Sequence, residues 1–323
     1  MKEKKYIWRS FDFSGSSLDL LELFRGEPHV FFLDSSQQDP SRGRYSFIGL
    51  DPFDVFIHKG QNTLDLLRGK FLDYAEASAE SFSAPFTPLT AGIVGCLGYD
   101  YGLGQERIRM QSMDDLNLPD CFFGFYDCIL TVDHFMQKLF VTSSGLPERN
   151  QFLRKKRAEQ RMSGILKKLN AYFHHSREVK WKQLNTGSAR QLDFSCNFSK
   201  SRYLETAQKA LDYIGDGDIY QVNLSQRFQF GFEGGLLDPL SLYGTLRNIS
   251  PSPFGGYVDG GNFQLLSNSP ERFLHLNNGI VQSRPMKGTR PRGNDELHDH
   301  VLREELLNSA KEKAELLMIT DLL

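Results

Sequence analysis

Short apolar runs separated by turn residues fill the first part of the chain and limit what it can fold into. HVFFLDSS (29–36) has the composition of a strand. YSFIGL (45–50) and DVFIHKG (54–60) predict a strand pair around a D-P turn. DCILTVDHF (127–135) and KLFVTSS (138–144) predict a hairpin. The first part is therefore predicted to be rich in short strands.

Two helical patterns follow. Residues 147–171 repeat apolar side chains at helical spacing among lysines and arginines, which predicts an amphipathic basic helix. Its basic face is either a solvated surface or an anion-binding patch. A second apolar stripe begins after Ser201 and stops at Gly215 and Gly217, which are typical of a helix end.

A polar stretch between the two helices, residues 174–192, is the best candidate for a linker. We therefore expect an N-terminal domain at residues 1–192 and a C-terminal domain at residues 193–323.

Composition excludes several classes of function. The chain has 323 residues and a net charge of −2, which favours neither nucleic acid nor a membrane surface as a partner. The basic N-terminus is not followed by an apolar segment of the signal-peptide type, and no apolar run is long enough to cross a bilayer. The cysteines are scattered without a CxxC pair. They indicate reduced thiols in a cytoplasmic protein.

Alternation also marks residues 220–230, where apolar side chains occupy one face and polar side chains the other. The pattern predicts a long strand whose polar face carries Gln221 and Ser225. Such a face either contacts water or lines a polar site.

An N-N-G turn at residues 277–279 joins two further strand-like segments. Pairing across this hairpin brings Glu271 close to Lys287, 16 residues later. One interpretation is a surface ion pair contributing about 0–1 kcal/mol. The other is that Glu271 holds or deprotonates Lys287, because a lysine is a nucleophile only as its free amine.

The remaining residues, from Asn294 onward, predict one helix whose final turns are buried all round. Glu312 and Glu315 project together from it. Carboxylates beside apolar groups need a partner. Mg²⁺ is one candidate, and an Arg or Lys from elsewhere is the other.

Together these segments resemble the chorismate-utilising enzymes. Four stretches look like successive motifs of that family: GDIYQVNLSQRF (217–228), SPERF (269–273), RPMKGTRPRG (284–293) and KEKAELLMITDLL (311–323). The resemblance covers nearly the whole chain. It implies an α+β fold of the anthranilate synthase component I type, with two large antiparallel sheets packed face to face, helices outside, and the two halves of the chain interleaved.

The N-terminal half also resembles the family, in segments that form a tryptophan pocket. These are LDSS (33–36), RYSFIG (44–49) and SPSPF (250–254). The resemblance implies a pocket of this kind in residues 1–192 and the loop at 250–254, with bound tryptophan that is regulatory or structural. The positions carried over are Asp34, Ser35, Ser36, Arg44, Tyr45, Ser46, Pro251, Ser252, Pro253 and Phe254.

Lys287 decides which activity the resemblance implies. The similar position is usually alanine in anthranilate, isochorismate and salicylate synthases, whereas lysine marks the aminodeoxychorismate synthases. Family chemistry implies that Lys287 attacks the chorismate ring and expels the 4-hydroxyl, and that ammonia then displaces the lysine at C4. Glu271 is implied as the acid/base partner. The product would be 4-amino-4-deoxychorismate, for p-aminobenzoate and folate synthesis.

The resemblance also implies the remaining ligands and partners. Mg²⁺ would lie near Glu315, with Glu312 beside it, and neutralise the substrate carboxylate. Ammonia would come from a separate glutamine amidotransferase subunit. The positions that look like substrate contacts are Gly288, Thr289, Gln221 and Ser225.

One departure concerns the C-terminus. The family continues with further substrate-binding segments and a second metal-binding glutamate, whereas this chain stops inside the apolar run ITDLL. We therefore expect a truncated sequence that lacks the C-terminal part of the catalytic domain. Two alternatives remain open at this point: anthranilate synthase component I, and a non-catalytic remnant that keeps only a binding function.

Overall fold

The computed structural model describes residues 7–39, 41–75, 87–106, 108, 113–175, 194–231 and 237–322. The predicted linker at 174–192 lies outside these residues from position 176 onward. The helices are α1 (Ser17–Glu22), α2 (Thr63–Ala75), α3 (Asp100–Gln105), α4 (Gln151–His175), α5 (Lys200–Asp216), α6 (Pro239–Ile249), α7 (Glu296–Asn308) and α8 (Ala310–Leu322). The strands are β1 (Ile7–Asp12), β2 (Phe31–Asp34), β3 (Tyr45–Gly49), β4 (Asp54–His58), β5 (Gly92–Leu97), β6 (Cys121–Tyr126), β7 (Cys128–Asp133), β8 (Lys138–Ser143), β9 (Ser195–Cys196), β10 (Phe228–Gln229), β11 (Phe254–Asp259), β12 (Gln264–Ser269), β13 (His275–Asn277) and β14 (Ile280–Gln282).

The chain forms two compact units, one of residues 1–180 with 243–323 and the other of residues 181–242. The domain division at 192/193 stays a prediction.

The first unit is built on a seven-stranded antiparallel sheet with the order β1-β8-β7-β3-β2-β11-β12. Five of its strands come from residues 7–143 and two from residues 254–269. The junction is β2 with β11, in which Phe32 pairs with Tyr257. The two ends of the sequence are therefore interleaved in one sheet, as the resemblance implies.

A three-stranded antiparallel sheet, β4-β6-β5, packs against the larger one. One buried apolar cluster joins the two sheets; its members are Phe31, Val94, Phe122, Tyr126, Ile129 and Val258. The architecture is α+β, as predicted. The second sheet is smaller than expected, with three strands within the residues that the structure describes.

The predicted pairing of YSFIGL with DVFIHKG is wrong. Both strands form, but β3 pairs with β2 and β7, whereas β4 pairs with β6 in the other sheet. Asp51, between them, has a positive φ of 47°. The chain turns there from one sheet into the other, so the two strands do not become neighbours.

Helix α4 is the predicted basic amphipathic helix. It packs on β1, β7 and β8. All six residues of β7 are buried, because the sheet is covered on both faces. The hairpin of β7 and β8 is confirmed, with Thr131 paired to Phe140.

The second unit contains α5, which ends where the sequence predicts but begins at Lys200, before the predicted start at Ser201. Ser199 caps its first turn by accepting a hydrogen bond from the Arg202 N–H, and Gly217 ends it with a φ of 81°. The long strand predicted at 220–230 is wrong. Only β10 forms, paired with β9. Within the described residues, 221–227 have no neighbouring strand with which to form a ladder.

The predicted single helix at the end of the chain is divided into α7 and α8. Ser309 between them has an extended backbone, with φ −66° and ψ 114°. Its Oγ accepts a hydrogen bond from the Glu312 N–H at 3.3 Å and so caps α8. The division places the start of α8 beside the loop that precedes α7.

Candidate functional site

The β13–β14 hairpin forms around the predicted N-N-G turn. Asn278 and Gly279 both have positive φ, 49° and 78°, as a type I′ turn requires. His275 pairs with Gln282. The same register, continued outward, sets Glu271 opposite Met286, and the Met286 N–H donates to Glu271 Oε1 at 3.0 Å.

Lys287 is therefore the residue directly after the one that Glu271 holds. Its side chain is exposed. In the part of the chain that the structure describes, Glu271 and Lys287 form no ion pair. The structure brings the half-buried carboxylate beside the lysine's loop and leaves the amine accessible to a substrate.

Gly288 continues this loop in a left-handed conformation, with a φ of 76°. It lies against α8: a Cβ at this position would stand 2.8 Å from Glu312 Oε2 and 2.8 Å from Leu306 Cδ1. Two of the predicted site residues, Gly288 and Glu312, are thus in contact. Glycine is needed here both for the backbone conformation and for the close approach.

Arg290 joins the loop to both helices. Its Nε donates to Glu305 Oε1 on α7 at 2.8 Å, and its Nη1 lies 3.4 Å from Glu312 Oε1 on α8. The same Nη1 donates to the carbonyl of Thr289 at 2.8 Å. The sequence analysis gave Arg290 no role. The only available signal was an arginine two residues from the predicted substrate contact Gly288.

The two candidate metal ligands have different surroundings. The Glu312 side chain is 16% exposed and faces Arg290, whereas that of Glu315 is 44% exposed and lies 3.7 Å from Lys311. Among the described residues, no group of three His, Cys, Asp or Glu side chains is arranged around a common point. Two carboxylates still fit Mg²⁺, because this ion commonly keeps several waters and takes further ligands from the substrate.

Gln221 and Ser225 lie in the second unit, in the irregular segment before β10. Gln221 is half-buried and Ser225 is exposed. Their role as substrate contacts stays a prediction.

The segments predicted to form a tryptophan pocket do come together, around Asp34. This carboxylate is fully buried. Its Oδ2 accepts from Arg247 Nε at 2.5 Å and from the Tyr243 hydroxyl at 3.2 Å. Its Oδ1 accepts from Ser46 Oγ at 3.1 Å and from Ser17 Oγ at 3.4 Å. Four donors therefore satisfy one charge.

Serine hydroxyls tie the three segments to each other. Ser35 Oγ lies within hydrogen-bonding distance of the carbonyls of Tyr45 and Pro253, at 2.8 and 3.1 Å. Ser36 Oγ lies 3.0 Å from the Ser252 carbonyl and accepts from the Ser252 N–H at 2.8 Å. The L-D-S-S, R-Y-S and S-P-S-P-F segments thus form one hydrogen-bonded unit.

The rim of this cluster is charged and aromatic. Arg44 makes a two-pronged ion pair with Asp133, the shortest contact being 2.7 Å, and its guanidinium lies 4.9 Å from the centre of the Tyr45 ring. Burial alone would raise the pKa of Asp133, but hydrogen bonds from Arg44 and from the Met136 N–H outweigh it, so the pKa is lowered. In the S-P-S-P-F segment, Pro253 is buried and Phe254 is half-buried, whereas Pro251 is exposed.

His134 is a member of this cluster that the sequence analysis missed. Its Nε2 lies 2.8 Å from Ser46 Oγ, and its Nδ1 lies 3.4 Å from Gln38 Nε2. The Gln38 amide is a donor, so Nδ1 accepts and Nε2–H donates to Ser46 Oγ, whose own hydroxyl donates to Asp34 Oδ1. Burial, together with Arg247, lowers the pKa of His134, although Asp34 and Asp133 oppose this. The histidine is neutral in this arrangement.

Comparison with known proteins identifies the family of this chain. The family model described as chorismate binding enzyme matches residues 28–323. The chain belongs to the family of chorismate binding enzymes. The predicted resemblance is confirmed at the level of the family.

Two curated relatives carry different activities in their names. Anthranilate synthase component 1 of Thermus thermophilus is 35% identical over 309 residues, which cover 94% of this chain and 63% of that protein. Aminodeoxychorismate synthase component 1 of Bacillus subtilis is 31% identical over 315 residues, which cover 93% of this chain and 63% of that protein. This chain thus spans about 63% of the length of these relatives.

A solved structure supports the fold. Anthranilate synthase component I from Streptococcus pneumoniae superposes with a TM-score of 0.67 at 25% identity, covering 88% of this chain and 61% of that one. The predicted fold of the anthranilate synthase component I type is confirmed. Within the described residues, no helix has the length and apolar character to cross a membrane.

Proposed function

We propose that this chain carries the chorismate-binding chemistry of aminodeoxychorismate synthase component I. The observation that carries the proposal is Lys287, which stands where family members that make anthranilate usually have alanine. Its exposed amine follows the residue that Glu271 holds through a 3.0 Å hydrogen bond. Membership of the chorismate binding family supplies the substrate class.

The proposed reaction uses Lys287 as a nucleophile and Glu271 as an acid and base. The free amine of Lys287 bonds to the chorismate ring, and the 4-hydroxyl leaves as water with a proton from Glu271. Ammonia then bonds at C4, the lysine leaves as the free amine, and Glu271 regains a proton. The net change is chorismate plus ammonia to 4-amino-4-deoxychorismate plus water.

A metal ion, substrate contacts and a partner subunit complete the proposal. Mg²⁺ held by Glu315 and Glu312 would neutralise the carboxylate of the substrate. Gly288 and Thr289 would contact the substrate. A glutamine amidotransferase subunit would supply ammonia, and the reaction would serve p-aminobenzoate and folate synthesis in the cytoplasm.

Anthranilate synthase component I is the second candidate. It is favoured by the 35% identity to the Thermus thermophilus relative, which bears that name. The product decides between the two, because 4-amino-4-deoxychorismate keeps its enolpyruvyl group and anthranilate does not.

The test is product and adduct analysis of three forms of the full-length gene product: wild type, Lys287→Ala, and Lys155→Ala as a control at an exposed lysine on α4. Each is incubated with chorismate and Mg²⁺, with and without ammonium chloride, and followed by mass spectrometry. We expect aminodeoxychorismate with ammonium, and without it an adduct on the peptide that contains Lys287. Lys287→Ala should lose the activity by about 1000-fold or more, and Lys155→Ala should not.

Other outcomes decide against the proposal. Anthranilate as the product would show the second candidate to be right, and an unimpaired Lys287→Ala would show that Lys287 is not the nucleophile. Neither product nor adduct from any of the proteins would favour a binding module without catalysis.

A further inference from the structure

A single guanidinium, that of Arg290, connects the three elements around the proposed nucleophile. It donates to Glu305 on α7 at 2.8 Å and to the Thr289 carbonyl in the loop at 2.8 Å. It also lies 3.4 Å from Glu312 on α8. A planar group with five fixed donors can make all three contacts at once, whereas a lysine ammonium cannot match their directions.

The contacts converge on Glu312. Oε1 of this carboxylate faces Arg290, and Oε2 faces the Cα of Gly288. Only 16% of the Glu312 side chain is exposed, against 58% of the Glu305 side chain. Glu312 is thus enclosed between the arginine and the loop, and Arg290 supplies the positive charge that a buried carboxylate requires.

We propose that Arg290 is a positioning residue with two tasks: it fixes the Lys287–Thr289 loop against α7, and it occupies Glu312 until a divalent cation displaces it. The second task rests on the proposed function, because it assumes that the cation binds at Glu312 and Glu315. The first task is independent of the substrate and of the reaction.

The two tasks depend on different properties of the side chain. Fixing the loop requires the directed hydrogen bonds to Glu305 and Thr289. Occupying Glu312 requires a positive charge close to one oxygen. A cation that binds Glu312 must therefore displace the Arg290 guanidinium, because the two positive charges repel each other when both lie beside this carboxylate. When the cation takes Glu312, Arg290 retains its contact with Glu305.

Three variants separate the tasks. Arg290→Met removes both the charge and the N–H donors. Arg290→Lys keeps the charge but loses the planar set of N–H donors of the guanidinium. Arg292→Met is the matched control, because Arg292 lies in the same loop and forms its own two-pronged pair with Asp299, both contacts at 2.6 Å, but faces solvent with 88% of its side chain exposed.

The first measurement is hydrogen exchange of peptides covering residues 284–293, without substrate or cation. We expect the Met286 amide, whose N–H donates to Glu271, to exchange about tenfold faster in Arg290→Met and Arg290→Lys, because a loop without the bonds of Arg290 opens more often. Arg292→Met should leave the exchange of the Met286 amide close to that of the wild type. Unchanged exchange in Arg290→Met would overturn the positioning role.

The second measurement is Mn²⁺ binding by electron paramagnetic resonance, with Mn²⁺ as the probe for Mg²⁺. Arg290→Met should bind Mn²⁺ about three- to tenfold more tightly than the wild type, because a competing charge is gone. Arg290→Lys should bind Mn²⁺ with the affinity of the wild type, because it keeps the positive charge, although its loop is no longer fixed by the hydrogen bonds of the arginine. Equal or weaker binding in Arg290→Met, or no binding in any variant, would overturn the competition, whatever product the enzyme makes.

Discussion

Asp34 and Glu271 are both carboxylates near strand ends, yet their surroundings differ in burial and in the number of hydrogen-bond donors. The Asp34 side chain is fully buried, and four side-chain donors including Arg247 satisfy it. Glu271 is half-buried and accepts a hydrogen bond from the Met286 N–H. A carboxylate that is already saturated holds structure, whereas one with a free oxygen is able to exchange a proton with a substrate.

Removing the charge of Asp34 should destabilise the fold strongly. Asp34→Asn leaves Arg247, only 17% exposed, without its partner charge, and we expect a loss of about 3 kcal/mol in the free energy of unfolding. Asp299→Asn is the matched control, because Asp299 pairs with the exposed Arg292 and its loss should be far smaller. Urea unfolding measures both. Equal losses would contradict the structural role of Asp34.

His134 should make the stability of this cluster depend on pH. Its pKa is lowered in the folded protein, mainly by burial. The unfolded chain therefore takes up a proton first as the pH falls below about 6.5, so the contribution of His134 is present above that pH and is lost below it. The difference in unfolding free energy between wild type and His134→Gln should be constant from about pH 7.5 to 8.5 and shrink towards pH 5.5. A difference that grows on acidification would show the opposite sign.

At the scale of elements, the loop between β14 and α7 is held from two directions. Glu271 holds it at Met286, and α8 holds it at Gly288 through Glu312. The helix break at Ser309 is what brings the first turn of α8 to this loop. The hairpin turn and the helix break together fix where Lys287 lies.

Substituting two glycines that have nearly the same backbone conformation tests this packing. Gly288 and Gly279 have φ of 76° and 78°, but a Cβ would contact Glu312 at Gly288 and nothing within 4 Å at Gly279. Gly279→Ala should cost about 1 kcal/mol for the left-handed backbone alone. Gly288→Ala should cost about 1 kcal/mol more, because Leu306 and Glu312 must move. The free energies of unfolding of the two variants give the comparison, and equal costs would mean that α8 does not pack on Gly288.

The sequence predicts those elements whose signals are local. The N-N-G turn, the β7–β8 hairpin and helix α4 all follow from residues within the element itself. The break at Ser309 has no glycine or proline to announce it, and the partners of β3 and β4 are chosen by the packing of distant segments. Arg290 and His134 were missed for the same reason, since their importance lies in contacts between elements.

At the scale of the molecule, the sheet that carries the Asp34 cluster depends on both ends of the sequence. β2 ends in Asp34 and pairs with β11, which directly follows the S-P-S-P segment. Val258 of β11 belongs to the same buried cluster as Phe31 of β2 and Tyr126 of β6. The L-D-S-S and S-P-S-P-F segments are therefore joined through the core of the first unit as well as through their hydrogen bonds.

Because β2, β6, β7 and β11 contribute to one core, we expect a substitution in the core of β11 to lower the stability of the whole sheet. Val258→Ala, at a side chain 5% exposed, should lower the free energy of unfolding by about 2 kcal/mol. Val281→Ala, at a side chain 62% exposed in β14, should change it by less than about 0.5 kcal/mol. Hydrogen exchange then locates the effect. In Val258→Ala, β3 and β7 should lose protection together with β11, because they unfold as one cooperative sheet. If only β11 and β12 lose protection, residues 254–269 form a separable flap, and the N-terminal strands are stable without them.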